Sequence, residues 1–209
     1  MPETSDETHS AVIGPRELLW SAVGFEGAML AVAAALVWWT GVRPGLTTSW
    51  RGASSGVAVG VVMASAAIVI AESRWRIFER SRRDFEMVLE LFRDAAIRDL
   101  AIVSLLAGVC EEALFRGFLQ TWLAGFVNPH VALGAAALLF GLAHPISRVY
   151  VIFVTAFGLT LGYLYLLTGE LVSVVVAHGL YDFLALVYGV RFFTPEAVAD
   201  AKDQLPGDD

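Results

Sequence analysis

Six apolar stretches, Leu18–Thr40, Gly52–Ala71, Leu100–Val127, Val131–His144, Val149–Thr168 and Leu171–Val190, take up most of this 209-residue chain and fix the class of fold open to it. About 20 apolar residues are what a helix needs to cross a hydrocarbon core. Inside that core each backbone N–H and C=O must be satisfied within the segment, so such runs form helices. The chain is 57% apolar and 17% charged, against roughly 45–50% and about 25% in soluble domains. The expectation is therefore all-α: a polytopic membrane helical bundle of about six transmembrane helices, forming one domain over residues 17–190. An N-terminal tail (1–16) and an acidic C-terminal tail (191–209) flank it. An acidic segment precedes the first stretch and no small-residue cleavage site follows Trp38, Trp39 and Thr40, so it reads as a span rather than a leader. The fourth stretch covers only about 21 Å of a core near 30 Å, which predicts that one of its ends lies at depth.

Charge sets the orientation. In a six-span chain eleven Lys and Arg fall on the N-terminal side, with only Arg43 and Arg51 on the other. That imbalance predicts a multi-pass protein of the cell membrane with both termini cytoplasmic. The net charge of −7 is concentrated in the tails and gives no reason to expect a nucleic-acid partner. A single cysteine, Cys110, excludes an internal disulfide and any Cys-rich zinc spacing. Arg far outnumbers Lys, a bias that suits a high-GC or salt-adapted prokaryote. Between spans two and three, Phe78, Phe85, Val88, Leu89, Phe92 and Ala96 recur at helical spacing, predicting one amphipathic helix on the cytoplasmic interface. Gly52, Gly56 and Gly60, and likewise Gly158 and Gly162, predict smooth helix faces for close packing.

Between Leu100 and Val190 the charges inside spans are Glu111, Glu112, Arg116 and Asp182, joined by His144 and His178. An ionisable group at mid-bilayer costs at least about 2.5–3.5 kcal/mol, so each marks a functional-site candidate. Glu112 and Arg116 lie four apart and can neutralise each other on one helix face. Glu111 is turned about 100° away, leaving a carboxylate without a counterion, as suits a group that takes up and returns a proton. The alternative is a buried ion-pair network that only holds helices together. His178 and Asp182 share a face, so Asp182 can accept from one ring nitrogen and fix the role of the other. His144 stands where Pro145 helps end the short fourth helix. Glu111 and His178 fall at matching depth, and His144 reaches them if that helix is displaced inward. His9 and His130 have no acidic neighbour at helical spacing.

The ordered pattern Glu111-Glu112-x-x-x-Arg116, Phe140-x-x-x-His144 and His178-x-x-x-Asp182 resembles the CPBP (CAAX protease and bacteriocin-processing, Abi) intramembrane endopeptidases, which include the Rce1-like CAAX prenyl-protein endoproteases. The resemblance covers about residues 100–190. It implies a helical membrane bundle with a cavity open to the cytosol, in which Glu111 activates water and His144 helps hold it. Glu112 and Arg116 would support the base, and His178 and Asp182 would take the oxyanion-stabilising positions. The family often has Asn where this chain has Asp182. An ionised carboxylate cannot donate to an oxyanion, so Asp182 fits better as the group that orients His178.

Glu111, His144 and His178 also make a His₂Glu set of the kind that binds zinc, although no HExxH is present. The family has been described both as metalloproteases and as glutamate proteases. The favoured reading needs no cofactor, with zinc on those three residues as the alternative. The expected partners are a peptide or membrane-protein substrate and the lipid bilayer. Two other functions compete with the protease: a non-catalytic immunity or scaffold protein of the same family, and a proton-coupled transporter.

Overall fold

A computed structural model of the chain describes residues 14–193 apart from residue 74; the tail assignments, with His9, Arg74 and Lys202, lie outside the described residues. Among the described residues there is no strand. Helix α1 runs Pro15–Thr40 and α2 Trp50–Glu72. A single 3-10 turn, Arg76–Phe78, leads into α3, Glu79–Phe92. Helix α4, Ile97–Glu112, passes into a π-helical segment, Ala113–Gln120, and closes with the short α5, Thr121–Leu123. Then come α6 (Pro129–Leu142), α7 (Arg148–Thr168) and α8 (Leu171–Arg191).

Local chemistry sets these boundaries. Ser49, Asn128 and Ser147 each accept a backbone N–H of the helix they open. Gly41 and Gly169 adopt positive φ where α1 and α7 end, a conformation that L side chains resist. Helices α1, α2, α7 and α8 are long and apolar enough to cross a membrane. Trp38, Trp39 and Trp50 stand exposed at one end of the bundle, as interfacial aromatics do. The chain is a multi-pass membrane protein. The other two stretches are the exceptional ones. The third is interrupted by charge and by the π turn, and α6 has 14 residues.

Two close contacts organise the bundle around α8. A Cβ on Gly56 would sit 2.4 Å from the Ser173 carbonyl oxygen, and one on Gly60 would sit 2.7 Å from that of Ala177. Helices α2 and α8 therefore touch backbone to backbone, as the glycine spacing predicts. Gly60→Ala is expected to cost about 1–3 kcal/mol by forcing the pair apart; thermal unfolding in detergent measures it, and an unchanged midpoint would contradict this packing.

Helix α3 is the expected amphipathic helix, and its apolar face turns toward the bundle. Phe85, Leu89 and Phe92 pack with Leu100, Leu186 and Val190, and α3 also lies against α2 and α7, so the bundle covers much of the stripe. A stripe read from spacing alone does not say which apolar phase covers it, and here the bundle's own end offers one. Its polar side is anchored too. Asp84, buried, accepts from Ser147 Oγ and pairs with Arg80 at 3.3 Å, tying α3 to the loop that follows His144.

Candidate active site

The site forms where α4 meets α6, α7 and α8, at the point where α4 changes register. Glu112, the last residue before the π segment, and Arg116, inside it, are both fully buried. Arg116 donates to Glu112 Oε1 at 2.6 Å and to the Gly158 carbonyl at 2.9 Å, with its guanidinium 4.7 Å above the Phe140 ring. One turn on, Gln120 donates to the Gly162 carbonyl at 3.0 Å. Both acceptors lie on the glycine stripe of α7, where missing side chains leave the carbonyls open to approach. A π turn, which is wider than an α turn and recurs at functional sites, carries both donors to that stripe.

His178 is held on several sides. Its Nδ1 lies 2.7 Å from Glu112 Oε1, and its Nε2 lies 3.3 Å from Asp182 Oδ2. Phe157 and Phe140 wall the ring, with centroids 5.0 and 6.0 Å away. Sequence spacing points to Asp182 as the residue that fixes this ring, but the shorter contact comes from Glu112, which shares one oxygen between Arg116 and His178. A pair split between two helices leaves no mark in spacing along one of them.

His144 lies two residues beyond the end of α6, with Nδ1 2.8 Å from the Phe140 carbonyl. A carbonyl only accepts, so Nδ1 carries the hydrogen and the Nε2 of the neutral ring keeps its lone pair. Glu111 completes the set. Its Oε2 is buried without a hydrogen-bond partner and stands 3.9 Å from Nε2 of both His144 and His178. That is beyond direct hydrogen-bond reach and suits contact through one bridging oxygen. Glu111, Glu112, Arg116, His144, His178 and Asp182 are thus brought together. His130 lies apart from them, exposed at the start of α6. Cys110 is buried.

The Glu111 oxygen stands farther from the two histidine nitrogens than donor atoms sharing one zinc ion would. Bonds of about 2.0–2.2 Å in a tetrahedron keep donor atoms roughly 3.3–3.5 Å apart, less than the 3.9 Å separations here. Among the described residues no group of three His, Cys, Asp or Glu is set to hold an ion.

One residue of the site escapes the sequence reading. Glu26 of α1 is 7% exposed, its Oε2 is buried without a partner, and α1 packs on α4 and the π segment. It lies outside the 100–190 stretch that carries the spaced motifs. A carboxylate in the middle of the first apolar stretch was the available signal.

A carboxylate and two imidazoles thus face one another inside a multi-pass helical bundle. Residues 94–184 match the family described as type II CAAX prenyl endopeptidase Rce1-like, the family that the spaced motifs resemble. At family level the match supports an intramembrane endopeptidase of CAAX type. It takes in all six motif residues, while Glu26 lies outside it. No match is found among the curated proteins or the solved structures.

Proposed function

We propose that the protein hydrolyses a peptide bond of a membrane-associated substrate, with water activated by Glu111. The observation that carries this reading is the unpartnered Glu111 oxygen, equidistant from two imidazole nitrogens at 3.9 Å. In the proposed reaction His144 Nε2 accepts a hydrogen bond from the water and Glu111 takes its proton as the oxygen attacks the carbonyl carbon. His178, held by Glu112 at Nδ1, turns its one Nε2 hydrogen from Asp182 to the developing oxyanion. Glu111 then returns the proton to the leaving nitrogen. Arg116 holds Glu112 in place through their 2.6 Å contact. No cofactor is required.

The excess of Lys and Arg on one side supports an orientation with both termini in the cytosol, which puts the reaction near the cytosolic face of the cell membrane. A CAAX-type peptide is the first substrate to test, because that is what the family description names. Membranes from cells carrying the wild-type protein or Glu111→Gln are to be compared by proteomics. A peptide that accumulates uncut in the variant is the expected result. Identical peptide populations would instead favour a scaffold, which has no use for the carboxylate.

A further inference from the structure

Hydrolysing a peptide bond leaves two charged ends. One amide and one water give a carboxylate and, after the second proton moves to nitrogen, an ammonium. In an apolar bundle each charge needs a partner, because a buried and unpaired ion costs several kcal/mol. The carboxylate end faces the Nε2–H of His178, the donor on that side of the site. The ammonium end needs an acceptor that nothing else occupies.

Elimination among the site's acids leaves one. Glu112 already has its cation: Arg116 and His178 both contact Oε1, at 2.6 and 2.7 Å, and although its Oε2 is unpartnered the charge of the group is balanced. Asp182 lies 3.3 Å from His178. Glu111 serves the water. Glu26 is more than nine-tenths buried, has an oxygen with no hydrogen-bond partner, and no cation on the described part of α1 lies between Arg16 and Thr40. It sits about 17 Å into α1 at 1.5 Å per residue, a depth comparable with that of Glu111. Helix α1 packs on α4 and on the π segment. Because Glu26 is buried and these are the elements α1 packs on, its side chain lies against the helix and π segment that carry Glu111 and Arg116.

Resting on the hydrolase reading, we infer that Glu26 is the binding residue for the ammonium group released on hydrolysis. It receives the new N-terminus of the C-terminal product. The group recognised is a primary α-ammonium at the end of an apolar peptide. An N-acylated end offers neither the charge nor the three donors that a carboxylate accepts.

The test is direct binding to the purified full chain in detergent of leucyl-valyl-alaninamide with a free α-amine and of its N-acetyl form. The wild-type protein is expected to bind the free amine about tenfold more tightly, the size of one charge-assisted hydrogen bond. Glu26→Gln should bring the two within about twofold, chiefly by weakening the free amine, and Glu26→Asp should retain part of the preference. Thermal unfolding shows whether each variant folds, and Glu26→Asp serves if Glu26→Gln does not. Equal binding of both peptides by the wild type, or an undiminished preference in the variants, overturns the inference. Failure of the hydrolase reading looks different: the amine preference would persist while no reporter peptide is cut.

Discussion

Glu111→Gln is expected to lower peptide cleavage about 10²–10⁴-fold, the usual contribution of a positioned general base. Gln matches Glu in shape, and the Oε2 it replaces bonds to nothing in the protein, so folding should be unaffected. His144→Ala and His178→Ala are expected to remove activity as well, the first by releasing the water and the second by losing the oxyanion donor. His130→Ala, at the exposed start of α6, should leave cleavage unchanged. Cleavage of one reporter peptide by the four purified variants checks this, with thermal unfolding as the control. Wild-type rates from Glu111→Gln would remove Glu111 from the chemistry.

The largest expected effect on stability belongs to Glu112 and Arg116, paired at 2.6 Å with essentially no exposed surface. Removing either partner strands a buried charge, at a cost of about 3–5 kcal/mol. Arg116→Met alone also frees the Gly158 carbonyl, and Glu112→Leu alone also frees His178 Nδ1. The double substitution is expected to cost less than the sum of the singles by about 0.5–3 kcal/mol, as for residues in one network. Equilibrium unfolding in detergent measures the cycle, and additive losses would mean that the two charges do not depend on each other.

The helices were legible in the sequence because a hydrocarbon core imposes one length and one composition on anything that crosses it. The glycine stripes were legible for a related reason: Gly56 and Gly60 mark places where no side chain can fit. What spacing along one helix could not carry was contact between helices. Glu112 reads as the partner of Arg116, and only the fold adds His178 from α8. Gly158 and Gly162 read as packing residues, and only the π turn shows that Arg116 and Gln120 bond to their carbonyls. The apolar stripe of α3 was visible, but periodicity does not distinguish a lipid surface from the end of a bundle. Glu26 was visible in principle. A lone carboxylate with no motif around it gains meaning only once α1 is seen to lie against α4.

The central claim is that Glu111 activates water without a metal. The most direct measurement is peptide cleavage by the purified protein in liposomes after exhaustive chelation, with metal content determined on the same sample. The expected result is full activity in metal-free protein and none in Glu111→Gln. Activity that falls with loss of stoichiometric zinc and returns when zinc is restored would contradict it.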